Sequence, residues 1–127
     1  MVQMMGDCRP LGGVRVLVVE DDPLMAMDLE ESLAEAGAAV VGLCRSVDEA
    51  MARTDVDDFA VAVLDFCLGS DTASPVARRL ARRGVPFVLY TGASRRDPSL
   101  AEWACPIVQK PASTGTLVSA LRMVLAR

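Results

Sequence analysis

The sequence contains no histidine. It therefore cannot supply a Ser-His-Asp catalytic triad, an imidazole metal ligand or a histidine that carries a phosphoryl group. Long apolar runs are also missing, since no stretch approaches the roughly eighteen residues of a membrane-spanning helix. The first residues lack the basic flank and apolar core of a secretory signal. What is left is a chain of 127 residues, 52% of them hydrophobic, which is long enough for one domain with its own core.

Cysteine and lysine are both scarce. The four cysteines, Cys8, Cys44, Cys67 and Cys105, form no C-x-x-C pair, so no thiol metal or redox motif is indicated and reduced thiols in the cytoplasm are expected. Of the 13 basic residues only Lys110 is a lysine, which indicates a site that requires a compact ammonium rather than a planar guanidinium. The net charge of −4 disfavours direct nucleic-acid binding.

Apolar runs and helical patterns alternate along the rest of the chain. Predicted strands cover residues 14–19, 38–44, 60–64, 85–90 and 105–108. The first predicted helix runs from Pro23 to Gly37, the second begins at the capping-box spacing of Ser46, and the third ends at Gly84. A brief fourth helix is predicted over 97–103 and a fifth over 114–126. Five strands alternating with five helices predict an α/β domain at residues 14–127 with a doubly wound parallel sheet, preceded by a flexible tail at residues 1–13.

In such a sheet the functional crevice lies beyond the carboxyl ends of the strands. Polar residues follow four of the five predicted strands, in the order Asp21 and Asp22, Asp65, Thr91, and Lys110. If the first and third strands are neighbours, three carboxylates meet in one pocket, where they repel one another unless positive charge offsets them. The charges of Lys110 and one divalent cation would balance the three carboxylates, and Mg²⁺ suits a site of oxygen ligands.

These residues are suited to binding and transferring a phosphoryl group. Asp65 stands alone at the tip of a central strand, so it is the carboxylate best placed to act as nucleophile and form an acyl phosphate. Lys110 and Mg²⁺ would stabilise the charge on the transferring group. The hydroxyl of Thr91 is placed to donate a hydrogen bond to a phosphoryl oxygen. Gly92 beside it has no side chain and leaves room for the phosphoryl group to approach.

Four segments of the chain are motifs of a known family. The sequences VLVVEDDP (16–23), VLDF (63–66), YTG (90–92) and QKP (109–111) resemble the first-strand acidic motif, the phosphoacceptor strand, the switch threonine and the lysine motif of receiver domains from two-component response regulators. The resemblance spans residues 14–127. It implies a flavodoxin-like fold with strand order 2-1-3-4-5 and a cis peptide bond between Lys110 and Pro111.

For the site, the resemblance implies that Asp65 accepts a phosphoryl group from the phosphohistidine of a sensor histidine kinase or a histidine phosphotransfer protein. Asp22 and Asp65 would ligate Mg²⁺ together with the backbone carbonyl of Cys67, and Asp21 would act mainly through water. Phosphorylation would draw in Thr91 and switch the surface around the fourth and fifth strands and helices, on which a downstream protein would dock.

The sequence departs from the family's pattern in two places. The fifth strand has Ile107 where receivers usually carry an aromatic residue, and the segment from Thr91 to Lys110 is short for the family. The Thr91-Gly92 pair and this short segment are similar to the FATGUY subgroup of single-domain receivers, whose fuller Phe-Ala-Thr-Gly signature is not present. We expect the segment to be mobile and to determine partner specificity.

Three functions are compatible with these residues. The first is a phosphoacceptor receiver rather than an enzyme, either standing alone, since no output domain follows Arg127, or excised from a longer protein. The second is an interaction module of the same fold that takes no phosphate. The third is a Mg²⁺-dependent aspartyl phosphohydrolase of the haloacid-dehalogenase type, which typically has a second aspartate where Cys67 stands. None of them requires a membrane, and the sequence leaves the oligomeric state open.

Overall fold

The computed structural model describes residues 8–56, 58–92, 98–100 and 103–126. The strands are β1 (Arg15–Val19), β2 (Ala39–Cys44), β3 (Val61–Leu64), β4 (Cys67–Leu68), β5 (Asp71–Thr72), β6 (Phe87–Thr91) and β7 (Ile107–Gln109). The helices are α1 (Pro23–Glu35), α2 (Val47–Arg53), α3 (Ser74–Arg82) and α4 (Thr114–Leu125), and a 3₁₀ turn covers Pro98–Leu100. Among the residues described, no helix has the length and apolar character needed to cross a bilayer.

Five of the strands form one parallel sheet in the order β2-β1-β3-β6-β7. Counted along the chain among the strands of this sheet, the order is 2-1-3-4-5, so the predicted doubly wound fold and its strand order are confirmed. Each of the five predicted strands lies within two residues of the observed one at both ends. The apolar runs were sufficient to locate them because helices cover both faces of a parallel sheet.

Two apolar layers cover the sheet. Val16 and Val18 of β1 pack in the layer that includes α1 and α4, whereas Leu17 and Val19 pack in the layer that includes α2 and α3. All four side chains are fully buried. Burying a side chain of this size stabilises the fold by roughly 2 kcal/mol. The centre of the sheet is therefore a rigid support for the polar groups at its carboxyl edge.

A short hairpin follows β3. Strands β4 and β5 pair in antiparallel fashion, with Cys67 opposite Thr72 and Leu68 opposite Asp71. The chain turns at Gly69, whose φ of +63° lies in the left-handed region that favours glycine. Two-residue strands leave no periodic pattern in a sequence, so the hairpin could not be predicted from hydrophobic spacing.

The predicted short helix before the fifth sheet strand is wrong in its described part. Only the single 3₁₀ turn Pro98–Leu100 is present there, and Trp103 lies outside any helix. Leu100 is almost fully buried, so one tight turn suffices to carry an apolar anchor into the core. The described residues do not include 93–97 and 101–102. The prediction of a mobile segment also concerns these residues.

The predicted flexible tail is wrong for its last residues. Leu11 is fully buried, and its N–H donates to the carbonyl of Ala36 at 2.8 Å. The Gly13 N–H donates to the carbonyl of Gly37 at 3.1 Å. Gly37 has a φ of +99°, and a Cβ there would lie 2.9 Å from Cα of Gly12, so only glycine allows the two segments to approach this closely. Residues 1–7 of the predicted tail lie outside the described residues.

Candidate functional site

Polar side chains collect at the carboxyl edge of the sheet. Glu20 and Asp21 directly follow β1, Asp65 follows β3, and Lys110 follows β7. Strand β1 pairs with β3, β3 with β6, and β6 with β7, all in parallel, so the ends of these strands meet at one edge. The backbone N–H of Lys110 donates to the carbonyl of Thr91 at 2.8 Å, which continues the ladder between the last two strands to the site.

Lys110 forms ion pairs with two buried carboxylates. Its Nζ donates to Oε1 of Glu20 at 2.6 Å and to Oδ2 of Asp65 at 3.0 Å. Glu20 is 1% exposed and Asp65 7% exposed. The ammonium therefore replaces part of the favourable interaction that water would otherwise give both carboxylates, and the N–H of Asp22 adds a hydrogen bond to Oε2 of Glu20 at 3.2 Å.

The site contains more negative than positive charge. Ligand oxygens of Glu20, Asp21 and Asp65 all lie within 4.8 Å of one another, and Lys110 is the ammonium paired with Glu20 and Asp65. Burial, reinforced by the nearby Asp65 carboxyl, raises the pKa of Glu20 from 4.5 to about 7, although Lys110 acts in the opposite direction. Burial alone would lower the pKa of Lys110, but its hydrogen bonds to Glu20 and Asp65 outweigh burial and raise it.

This arrangement fits a divalent cation with oxygen ligands. Three carboxylates and one ammonium leave a net charge of −2 when all are ionised, and burial together with the nearby Asp65 raises the pKa of Glu20. Mg²⁺ prefers carboxylate oxygens and retains several water molecules, so it does not require a complete protein cage. The residues present therefore meet the requirements of the ion expected from the sequence.

The β4–β5 hairpin contacts the acidic group. The backbone N–H of Gly69 donates to Oδ2 of Asp21 at 2.8 Å, which joins the turn of the hairpin to the residues after β1. At the start of the hairpin, the N–H of Cys67 donates to Oδ1 of Asp65 at 3.3 Å. Two of the clustered carboxylates thus receive hydrogen bonds from one element. This contribution of Gly69 was not predicted, because backbone donors carry no sequence signal.

Asp22 lies elsewhere, which corrects the predicted acidic pair. Its Oδ1 accepts hydrogen bonds from the N–H groups of Leu24 at 3.0 Å and Met25 at 3.3 Å, so the side chain is the N-cap of α1. The three-carboxylate group contains Glu20 in its place. The sequence held the signal for this assignment, since an aspartate before Pro23 is a typical N-cap and leaves Glu20 and Asp21 as the pair that faces the sheet edge.

The remaining predicted residues lie beside this group. Thr91 is the last residue of β6 and is fully buried, whereas Gly92 after it is exposed, and an added Cβ there meets no described atom within 4 Å. The side chain of Cys67 is exposed on β4. The peptide bond between Lys110 and Pro111 is cis, as the resemblance implies.

Comparisons with known proteins agree with the motifs. The family model for the response regulator receiver domain matches residues 16–122. The transcriptional regulatory protein PdtaR of Mycobacterium tuberculosis is 32% identical over 122 residues, which represent 89% of this chain and 57% of PdtaR. This chain thus spans about half the length of the curated relatives that it matches.

Solved structures show the same fold. SdrG from Sphingomonas melonis Fr1 is 33% identical, with a TM-score of 0.73, and the match covers 91% of this chain and 98% of SdrG. The response regulator TrrA from Thermotoga maritima, solved in complex with Mg²⁺ and BeF, is 23% identical with a TM-score of 0.76. That match covers 87% of this chain and 98% of TrrA, and at this identity it supports the fold alone.

Proposed function

The chain belongs to the response regulator receiver domain family, and from this premise we propose that Asp65 is its phosphoacceptor and that the donor is the phosphohistidine of a sensor histidine kinase or of a histidine phosphotransfer protein. The observation that carries the proposal is the pairing of Lys110 Nζ with Oδ2 of Asp65 at 3.0 Å inside a group of three carboxylates, of which Glu20 and Asp65 are buried. The proposal places the exchange in the cytoplasm.

In the proposed reaction an oxygen of the Asp65 carboxylate attacks the phosphorus of the phosphohistidine. The new bond is an acyl phosphate, the P–N bond breaks, and its electron pair returns to the imidazole nitrogen, which takes up a proton. Lys110 is already beside Asp65, so it can bind a phosphoryl oxygen without first crossing the site. Its positive charge stabilises the charge that develops on the transferring group.

Mg²⁺ would be held by the carboxylates of Asp21 and Asp65, with Glu20 and the backbone carbonyl of Cys67 close by. When bound, it supplies positive charge that offsets both the carboxylates and the phosphoryl oxygens. In this proposal Asp21 takes the direct ligand role expected for Asp22, and Glu20 joins the acidic group in place of Asp22. Glu20 also holds Lys110, whose Nζ donates a 2.6 Å hydrogen bond to its Oε1.

Phosphorylation also provides a route to an output. The acyl phosphate carries more negative charge than the carboxylate it replaces, and the hydroxyl of Thr91 would bind one of its oxygens. Movement of Thr91 would shift the population between two packings of β6, β7 and α4, where a downstream protein would dock. The size of this shift is limited to the difference in interaction energy that the phosphoryl group makes with the two packings.

The test is phosphorylation by a small donor. Wild type incubated with acetyl phosphate and Mg²⁺ should gain one phosphoryl group by intact mass, and Asp65→Asn should gain none. The matched control is Asp28→Asn, since Asp28 is an exposed aspartate on α1 outside the three-carboxylate group, and it should behave as wild type. Folded wild-type protein that never gains the group would refute the proposal and favour the interaction module that takes no phosphate.

A further inference from the structure

Lys110 has an aromatic neighbour as well as its two carboxylates. Its Nζ lies over the ring of Tyr90, 5.4 Å from the ring centroid. The face of an aromatic ring attracts an ammonium at distances up to about 6 Å, and the attraction grows when water is excluded. Only 15% of the Lys110 side chain is exposed. The ring and the two carboxylates together therefore surround the charge of Lys110 on several sides.

The ring of Tyr90 is itself held firmly. Tyr90 lies on β6 directly before Thr91, is 7% exposed and packs in the apolar layer that includes α1 and α4. It also lines a cavity of about 50 Å³ together with Leu29 of α1 and Leu117 of α4. A buried ring on a central strand has little freedom to move, so the position of the ammonium over it is defined by the fold.

We propose that Tyr90 is a positioning residue for Lys110. Glu20 and Asp65 both attract the ammonium, and Glu20 makes the shorter contact, at 2.6 Å against 3.0 Å. The ring restricts the positions that Lys110 Nζ can take, and so keeps the ammonium within hydrogen-bond distance of Asp65. This inference rests on the proposed function, since it concerns the readiness of Lys110 to bind a phosphoryl group formed on Asp65.

The composition of the chain makes this contact measurable. Lys110 is its only lysine, so protein labelled with ¹³C at the lysine ε carbon gives one side-chain lysine signal. Because Nζ lies over the ring face, we expect the ε protons to be shifted upfield by the ring current and to show cross-relaxation with the ring protons of Tyr90. Both observations use unmodified protein, so they do not depend on whether a variant folds.

Substitutions distinguish the effect of the aromatic ring of Tyr90 from the effect of the volume that its side chain fills. Tyr90→Leu should remove the upfield shift of the Lys110 signal and slow phosphorylation by acetyl phosphate about fivefold, whereas Tyr90→Phe should retain the shift and stay within about twofold of the wild-type rate. Phe87→Leu is the matched control, because Phe87 lies on the same strand, is 8% exposed and packs in the opposite apolar layer. It should leave the Lys110 signal unchanged.

The two readouts distinguish the two proposals. If the Lys110 signal shows no ring-current shift in wild type, or the same shift in Tyr90→Leu, Tyr90 does not position the ammonium. An equal loss of phosphorylation rate in Tyr90→Leu and Phe87→Leu also overturns the inference, because the effect is then one of general packing. If wild type takes no phosphate, the proposed function fails, while the Lys110 signal still decides whether the ring holds the ammonium.

Discussion

Three consecutive acidic residues after β1 have two different roles. Glu20 and Asp21 contribute carboxylate oxygens to the group around Asp65, whereas Asp22 caps the first turn of α1. A capping carboxylate must point along its own helix at the N–H groups of that first turn. It therefore does not turn back towards the neighbouring strand, and the two roles can be separated by single substitutions.

We expect Asp22→Ala to weaken the fold without removing the ion site. Loss of the acceptor for Leu24 and Met25 should lower the free energy of unfolding by about 1 kcal/mol. Mg²⁺ at 100 times its dissociation constant should still add roughly 3 kcal/mol to the stability of this variant. Asp21→Asn should show the reverse, with a small change in stability but little gain from Mg²⁺. Thermal unfolding with and without Mg²⁺ measures both quantities.

The assignment of Asp21 as a ligand would be wrong if Asp21→Asn gained as much from Mg²⁺ as wild type. If instead Asp22→Ala lost the gain, the ligand pair expected from the sequence would be restored. Calcium serves as a control ion, since it also prefers oxygen ligands but accepts a larger and more flexible coordination sphere.

At the scale of the elements, the hairpin of β4 and β5 donates two backbone hydrogen bonds to the acidic group. Its turn residue Gly69 combines a left-handed backbone conformation with the N–H donor to Asp21. A residue that disfavours this conformation should displace the donor. The contact makes Asp21 sensitive to a residue 48 positions away in the sequence.

Gly69→Val should therefore weaken Mg²⁺ binding by about tenfold, because a hydrogen bond to a charged group is lost or misdirected. Gly84→Val is the matched control. Gly84 also has a positive φ, of +72°, and open space around an added Cβ, but it ends α3 away from the acidic group. Both variants should lose similar stability from backbone strain. Titration of Mg²⁺ by calorimetry gives the dissociation constants, and equal values for the two variants would contradict a role for the hairpin.

The sequence predicts those elements whose apolar residues recur at a regular spacing, and it does not reveal elements that are too short to show such a spacing. The strands and the long helices follow from apolar runs and helical spacing, and the convergence of Asp21, Asp65 and Lys110 follows from parallel strand ends. The exchange of Glu20 for Asp22 depends on which acidic side chain caps α1, and the aspartate directly before Pro23 carried that signal. The 3₁₀ turn and the hairpin are too short to produce a period.

At the scale of the whole molecule, the segment before β1 belongs to the core. Leu11 is fully buried in the layer that includes α1 and α4, and its backbone donates to the end of α1 at Ala36. The segment thus closes the amino-terminal side of the domain, on the face where α1 ends. We therefore expect it to stabilise the fold as a core position does, although the segment forms no helix or strand.

Leu11→Ala should lower the free energy of unfolding by about 3 kcal/mol, since it leaves a cavity in a closed layer. Leu24→Ala is the matched control, because Leu24 is 79% exposed and should change stability by no more than about 0.5 kcal/mol. Urea unfolding followed by circular dichroism gives both values. Indistinguishable results for the two leucines would mean that residues before Val14 do not contribute to the fold in solution.

The places where the described chain begins and ends have a further consequence. The chain enters at Leu11 beside the end of α1, and it leaves at the end of α4, where Val124 borders the same cavity as Gly84 and Val85 before β6. Both exits therefore lie on the rim opposite Asp65 and Lys110. A fluorescent protein or a surface tether joined beyond the end of α4 would therefore begin at the pole of the domain opposite the three-carboxylate group.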